Sequence, residues 1–404
     1  MLFCATIINR AGTMALPFLV LYLTQHMGFS ASRAGMAMAA YGAGALISMP
    51  TAGRLSDSVG SRRVFEWTLL LSGTFLLGLP WVHSFGGMLA TTFVWGVLGE
   101  GNRPASMSMV TELVGPEQRK SAFAVIRLAA NLGMTVGPAV GGLLAAYSYP
   151  TIFRVDGATS ILAAIFLMFV PWRHLYDASK NHGATGDPAG SQEDSEETDL
   201  EVIPPSYPIR SALPRPNCRL ALFMLAQIPV MMVFFQFSSG LPLFMTHNLH
   251  LSATVYGLLL PINTLLIIFL EVPVNIAMEH WPHRRALPLG AFLCGAGFGA
   301  LILASNTWSV GATIVIWTFG EMILFPGASA YVAEIAPVDR RGSYMGLYTM
   351  SVSLAFVAGP WLGATVLAHF GPATLWTGAF IGGCVSAAMM MGIDSEVRAQ
   401  GAVL

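Results

Sequence analysis

Long apolar stretches recur along the chain, and short polar breaks separate them. A helix of about 20 apolar residues spans the hydrocarbon core of a bilayer. The alternation that marks membrane strands is absent, and only a helix or a closed barrel satisfies its own backbone in lipid. The pattern predicts an all-α membrane protein with twelve transmembrane helices, near residues 2–25, 32–53, 64–83, 87–109, 121–147, 150–171, 218–246, 252–278, 286–305, 309–332, 343–369 and 372–393.

One long polar segment interrupts this pattern. Residues 173–217 are rich in Gly, Ser, Pro and acidic residues and contain little apolar surface to bury, which is typical of a flexible linker. The segment divides the spans six and six. We therefore predict two pseudo-symmetric six-helix bundles, residues 1–172 and 218–404, joined by a linker at 173–217.

Composition supports a membrane protein and gives no sign of catalysis. Only 10% of residues are charged and 54% are hydrophobic, whereas soluble proteins carry roughly 25% charged residues. The net charge of −1 does not suggest a nucleic-acid partner. The four cysteines are isolated, and no H-E-x-x-H, G-x-S-x-G or P-loop motif is present. We expect no enzyme activity, no metal and no cofactor. Because no P-loop is present, we also expect that ATP is not a direct energy source and that an ion gradient or a substrate gradient supplies any energy the protein uses.

The basic residues predict the orientation of the chain. Arg10 lies inside the first apolar run and no basic region precedes it, so this run is a retained span and not a signal peptide. Because the run starts almost at Met1, we expect a short natural leader before it. Fifteen basic residues fall on one side of the predicted spans and only Arg33 and Arg154 on the other. The positive-inside rule then places both termini and the linker in the cytoplasm, and we expect the inner membrane of a bacterium.

The two halves resemble each other at an offset of about 222 residues. The matches keep their register through several helices, which chance does not readily supply. Repeated halves are typical of alternating-access carriers, whose substrate site lies between the repeats. The matching positions are Trp95 and Trp317, Glu112 and Glu334, Pro116 to Arg119 and Pro337 to Arg340, and Gly137-Pro138 and Gly359-Pro360.

The predicted loop between spans two and three carries a recognisable pattern. Glycines in it permit a tight turn, and its carboxylate is placed to pair with arginines or to face a helix N-terminus. The loop reads Gly53-Arg-Leu-Ser-Asp57-Ser-Val-Gly60-Ser-Arg62-Arg63. This sequence resembles the signature of the major facilitator superfamily, G-x-L-a-D-r-x-G-r-r. The resemblance implies the fold of that family and a conformational latch between the halves. The alternative is a basic turn that only sets topology. The matching residues are Gly53, Asp57, Gly60, Arg62 and Arg63.

Span five contains a second pattern, G-x-x-x-G-P-x-x-G-G. Small residues let helices approach closely, and a proline inside a helix removes a backbone hydrogen bond and kinks it. The pattern resembles the motif of the drug/proton antiporter, or multidrug efflux, branch of the superfamily, which implies export. The alternative is a general packing face. Its residues are Gly133, Gly137, Pro138, Gly141 and Gly142.

Charged residues inside spans are costly in lipid and usually serve a function. Burial favours the protonated form of a carboxyl and a nearby arginine favours the ionised form, so alternation between the two moves a proton. We predict proton coupling at Glu271, Glu321 and Glu100, and prefer the first two because their own helices carry no nearby basic residue. The alternative for each is a structural hydrogen bond between helices. Glu100 and Arg103 are spaced to neutralise each other, unless Arg103 is released to bind an anionic group.

Polar and aromatic residues in the spans predict the lining of a substrate cavity. Arg10 alternatively snorkels to the membrane surface, and the aromatic residues alternatively pack in the core. Asp156 follows Arg154 closely enough to form a local ion pair with it. The predicted lining residues are Arg10, Tyr41, Arg103, Arg127, Asn131, Gln236, Asn263 and Trp317.

Together these features predict a secondary active transporter that works by alternating access. We expect proton-coupled export (antiport) of small organic solutes or drugs, by a monomer whose partners are its substrate and the lipid bilayer. The alternative is a proton-coupled symporter that imports peptides, sugars or other nutrients. Asn9, Arg10 and Gly12 of span one distantly resemble the start of proton-coupled peptide transporters, but the E-x-x-E-R pattern of that family is missing.

Overall fold

The computed structural model describes residues 2–114, 119–170, 172, 218–337 and 340–401. Within these ranges every regular element is a helix. The predicted linker at 173–217, and most of the repeat match at Pro116 to Arg119, lie outside the described residues.

The first half contains six spans. Span one is broken into α1 (Leu2–Ala11) and α2 (Ala15–Leu21), and it ends in a π-helical turn (Tyr22–His26). Span four is divided at Gly101. The other helices of this half are α3 (Ala31–Val59), α4 (Ser61–Gly78), α5 (Phe85–Glu100) and α6 (Asn102–Leu113) for span four, α7 (Arg119–Tyr147), and α8 (Tyr149–Phe169).

The second half has the same order. Span seven consists of α9 (Cys218–Phe234), a 3₁₀ turn (Phe235–Ser238), α10 (Gly240–Leu243) and a π-helical turn (Phe244–Asn248). The last helix is broken at Gly371, whose φ of 82° is not helical, so it supplies two spans. The remaining helices are α11 (Ala253–Ala277), α12 (His283–Gly299), α13 (Thr307–Ile335) and α14 (Arg341–Gly401).

Nine stretches of the described residues are long and apolar enough to cross a membrane, and one of them, Arg341–Gly392, contains two spans. The other two spans fall short for local reasons. Helix α3 is rich in Ala, Gly and Ser and carries charges at its end, and the break at Gly101 leaves α5 and α6 short. The prediction of twelve transmembrane helices is confirmed.

The starts of corresponding helices reproduce the repeat seen in the sequence. Helices α3 and α11, α4 and α12, α5 and α13, and α7 and α14 each begin 222 residues apart. Local chemistry sets the same starts, because Ser30 and Ser252 each accept a hydrogen bond from a backbone N–H of the first turn. Ser84 and Asn306 cap α5 and α13 in the same way. The pseudo-symmetry therefore extends to individual helix caps.

The two halves meet mainly along two helix pairs, α3 with α14 and α7 with α11. We call the end of the bundle that carries Arg62, Arg63, Arg284 and Arg285 the basic end, and the opposite one the far end. Helices α3 and α11 begin at the far end, and α7 and α14 begin at the basic end. Each pair is thus antiparallel and runs through the full depth of the molecule.

Candidate transport site between the two halves

Glycines allow the halves to touch near the far end. A Cβ atom built on Gly35 of α3 would lie 2.8 Å from the Cα of Trp361 in α14, and one on Gly142 of α7 would lie 3.0 Å from the Cα of Gly257 in α11. Hydroxyl contacts join the same helices, between Ser32 and Thr365 at 3.0 Å. These contacts hold the far end of the interface together.

The span-five motif divides its glycines between two partners. Gly133, Gly137 and Gly141 pack against span one, where a Cβ on Gly141 would lie 2.9 Å from the Cβ of Met14. Gly142 instead faces α11 of the other half, and the carbonyl of Pro138 contacts Gly257. Helix α7 stays continuous through Pro138. The motif therefore joins span one to span five and the first half to the second.

A polar cavity of about 350 Å³ lies between α7 of the first half and α11 and α13 of the second. It contains four of the residues predicted from the sequence, and Met322, Phe325 and Ser329 also line it. The predicted residues are Arg127, Asn131, Glu271 and Glu321.

An ion pair joins the halves inside this cavity. The Arg127 guanidinium donates to the Glu271 carboxylate, and the two residues are 144 positions apart. The Glu271 side chain is only 13% exposed and that of Arg127 is 64% exposed. The Glu271 carboxylate is thus mostly buried in the lining of the cavity, and the more exposed Arg127 side chain contacts it from the accessible part of the cavity. One turn of helix further along, Asn275 donates to the backbone carbonyl of Glu271 at 2.7 Å.

Among the described residues, Glu321 is held by an amide and not by a cation. The Asn263 side-chain nitrogen donates to Glu321 Oε2 at 2.6 Å and lies 3.1 Å from the hydroxyl of Thr318. Asn263 is on α11 and Glu321 on α13, so this contact lies wholly within the second half. The structure therefore brings both preferred carboxylates to one cavity and gives them different partners.

A second polar cluster lies in the first half. Tyr41 donates to Glu100 Oε1 at 3.0 Å, and Arg103 Nε lies 3.7 Å from Glu100 Oε2. Arg10 interacts electrostatically with these groups, and its backbone packs against Gly133 of α7. Four predicted residues therefore meet here, and the i,i+3 pairing of Glu100 with Arg103 has the predicted geometry.

The predicted pair between Asp156 and Arg154 is wrong. Asp156 Oδ2 accepts hydrogen bonds from the backbone N–H groups of Met14 at 3.1 Å and Ala15 at 2.9 Å, while Arg154 is exposed. The break in span one frees these N–H groups, and a buried N–H needs an acceptor. Asp156 is 4% exposed and supplies it from α8. The signal available in the sequence was Gly12 inside span one, which marks a break that needs a partner.

Two predicted cavity residues lie elsewhere. Trp317 is 2% exposed and stacks on Phe298 in the core. Gln236 donates to the carbonyls of Met232 and Gly359, at 3.0 Å and 2.7 Å, and borders a mostly apolar groove between spans seven, eleven and twelve. Neither side chain is brought to the cavity of Glu271 and Glu321.

The loop between spans two and three forms a tight turn. Gly60 has a φ of 96° between α3 and α4. Arg62 Nε lies 2.6 Å from Glu66 Oε1, and its guanidinium lies 5.5 Å from the ring centre of Trp172. Ser61 donates to Glu112 of span four at 2.5 Å. Gly53 lies on α3, and Asp57 and Arg63 are exposed beside the turn. The latch role of this turn stays a prediction.

Relatives with known sequences match most of the chain. The MFS-type transporter YqjV of Bacillus subtilis (strain 168), itself described as uncharacterized, is 26% identical over 381 residues, 91% of this chain and 85% of the relative. A Na(+), Li(+), K(+)/H(+) antiporter of Planococcus maritimus is 21% identical over 87% of this chain and 85% of its own length. The class G tetracycline resistance protein of Vibrio anguillarum is 24% identical over 85% of this chain and 82% of its own length.

Solved structures share the fold. A crystal structure of the peptide transporter POT in complex with sulfate superposes with a TM-score of 0.72 at 16% identity, covering 100% of this chain and 94% of that one. The family model of the Major Facilitator Superfamily matches residues 2–246 and 223–393. The chain therefore belongs to the major facilitator superfamily and is a multi-pass membrane transporter and not an enzyme.

Proposed function

We propose that this transporter exports small organic solutes in exchange for protons and works by alternating access. The observation that carries the proposal is the ion pair of Arg127 and Glu271, which joins the two halves inside the polar cavity. Because the two charged groups belong to different halves, a movement of one half against the other can change the protonation of Glu271.

The mechanism follows from the separate attachment of the two side chains. Arg127 belongs to α7 and Glu271 to α11, so rocking of one half against the other changes their separation. A carboxylate that loses its arginine in surroundings of low polarity is neutralised by a proton. When the halves return, the arginine displaces that proton. Glu321 borders the same cavity and offers a second proton acceptor.

The relatives support antiport and export over import. One relative is named as a cation/proton antiporter and another as a tetracycline resistance protein. The span-five motif also favours export, because it resembles the motif of efflux proteins. We propose that the basic end faces the cytoplasm, as the positive-inside rule indicates, and that the membrane is that of a bacterium. We also propose that the protein acts as a monomer.

The test uses purified protein in proteoliposomes that enclose a pH-sensitive dye. Tetracycline, norfloxacin and ethidium are each added outside with and without an imposed pH gradient. Antiport predicts that protons cross opposite to the compound, and symport predicts that both cross in the same direction. Equal movement of a compound with and without the gradient would contradict proton coupling.

Charge exchange tests the ion pair itself. Glu271→Gln should abolish gradient-driven accumulation but spare exchange of substrate for substrate, because exchange needs no net proton movement. The double variant Arg127→Glu with Glu271→Arg restores a pair across the halves and should recover more activity than either single reversal. Arg154→Gln, an exposed arginine outside the cavity, is the matched control. Full accumulation in Glu271→Gln would remove Glu271 from the mechanism.

A further inference from the structure

The first-half cluster leaves one of its guanidinium groups without an ion pair among the described residues. It contains two guanidinium groups, Arg10 and Arg103, and the carboxylate of Glu100. Both oxygens of that carboxylate already have partners, since Tyr41 donates to Oε1 and Arg103 approaches Oε2. Asp156 also attracts Arg10 electrostatically, but its Oδ2 accepts two backbone N–H groups.

Glu100 and Asp156 attract Arg10 electrostatically, but neither carboxylate lies within ion-pair distance of its guanidinium. Within the residues that the structure describes, its guanidinium makes no hydrogen bond and no ion pair. A guanidinium carries five N–H donors, and a partly buried cation without a partner is costly in a membrane. Arg10 is only half-buried, so the residue is partly open to a ligand. The usual reason to keep such a group is a ligand that completes it.

The surroundings of Arg10 indicate what that ligand contains. Arg10 packs on Gly133 of α7, two residues from Asn131, which lines the polar cavity. Tyr41 meets the ring of Phe356 from the second half, with ring centres 6.2 Å apart, and Phe356 packs against Phe235 at 4.8 Å. Aromatic rings from both halves therefore pack beside the cluster that contains Arg10.

We infer that Arg10, with Arg103 beside it, binds the anionic group of the substrate, and that the substrate is a small organic carboxylate with an apolar body. Arginine is suited to this role because its planar fork matches the two oxygens of a carboxylate. The inference names the substrate class for the proposed transport function and rests on it. It also separates two tasks, with the anion held in the first half and proton exchange at Glu271 and Glu321.

Thermal unfolding in detergent tests this binding without any membrane or gradient. The full chain is heated at constant ionic strength with increasing benzoate, phenylacetate or indole-3-acetate, and with the neutral amide of each as a matched compound. Binding to the folded state raises Tm saturably with ligand concentration. We expect at least one carboxylate to raise Tm and its amide to have no such effect.

Three variants decide which residue is responsible. Arg10→Gln should abolish the rise in Tm. Arg10→Lys keeps the charge but loses the planar guanidinium, and should raise the half-saturating carboxylate concentration about tenfold. This variant also tests the inference if Arg10→Gln does not fold. Arg154→Gln should behave as wild type.

Two results would overturn the inference: no carboxylate-specific rise in wild type, or an unchanged rise in both Arg10 variants. A failure of proton coupling in proteoliposomes with intact carboxylate binding would instead contradict the proposed function alone.

Discussion

The Thr254 hydroxyl donates a hydrogen bond to the backbone carbonyl of Gly142 across 2.8 Å, at the place where α11 and α7 bring glycine against glycine. Thr254 and Gly142 belong to different halves. This contact, together with the packing of Gly257 on Gly142, closes the interface near the far end. In the proposed alternating-access cycle this contact opens once in each cycle.

We expect Gly257→Ala to weaken this closure. The added Cβ would lie 2.7 Å from the Cα of Gly142, which forces the backbones apart and costs about 1–3 kcal/mol, as overpacking usually does. Initial transport rates and Tm should both fall. Gly346→Ala on α14 is the control, because its Cβ would enter open space. Equal behaviour of the two variants would show that the close approach is unimportant.

We expect Asn263→Ala to impair transport through Glu321. The variant removes the donor at 2.6 Å from Glu321 Oε2, and a hydrogen bond to a charged group contributes about 1.5–3 kcal/mol. Gradient-driven uptake should fall roughly tenfold or more, since each 1.4 kcal/mol is a factor of about ten. The measurement is uptake into proteoliposomes. In a Glu321→Gln background the same change should have little further effect, and additive losses would mean that Asn263 acts independently.

We expect Asp156→Ala to destabilise the protein strongly. It leaves the backbone N–H groups of Met14 and Ala15 without their acceptor, and loss of hydrogen bonds to a charged group costs about 1.5–3 kcal/mol each. Thermal unfolding should show a Tm several degrees lower. Asp156→Asn keeps an acceptor oxygen and should recover much of the loss. A Tm for Asp156→Ala equal to that of wild type would show that the break in span one does not need this cap.

We expect Gly60→Ala and Gly53→Ala to have opposite effects on stability. Neither added Cβ meets a neighbouring atom, so space does not distinguish them. Gly60 has a φ of 96°, a conformation that costs a side-chain-bearing residue about 1–3 kcal/mol. Gly53 lies inside α3, where alanine is favoured over glycine by about 0.5–1 kcal/mol. Thermal unfolding of both variants is the measurement, and a lower Tm for Gly53→Ala than for Gly60→Ala would contradict the expectation.

Features of the fold and of the site that depend on neighbouring residues or on a regular spacing could be predicted from the sequence. Helix number follows from the length of apolar runs, and the contact of Glu100 with Arg103 follows from their i,i+3 spacing on one helix. The repeat was visible because Trp95 and Trp317 keep a register that the helix starts share. Each of these features can be read from neighbouring positions or from one constant offset.

The other contacts of the site depend on how the helices pack against each other, which the spacing of residues along the chain does not reveal. Arg127 and Glu271 are 144 residues apart, and only the packing of α7 on α11 brings them together. Closeness in the chain predicts a pair of Asp156 with Arg154, whereas in the fold Asp156 accepts backbone hydrogen bonds at the break in span one. Trp317 is aromatic and lies in a span, and nothing in its position distinguishes a core residue from a cavity residue.

The offset of 222 residues has a further consequence when it is applied to the charged side chains. A carrier with two identical halves would contain an ion pair such as that of Arg127 and Glu271 twice, once at each of the two helix pairs, whereas the equivalent positions in this chain carry no such second pair. The charged residues of the site must therefore have arisen or been lost after duplication, and two fused copies of either half would keep the frame but lose the chemistry. At the equivalent positions, Arg10, Arg103, Arg127, Glu271 and Glu321 are answered by Met232, Phe325, Thr349, Met49 and Gly99.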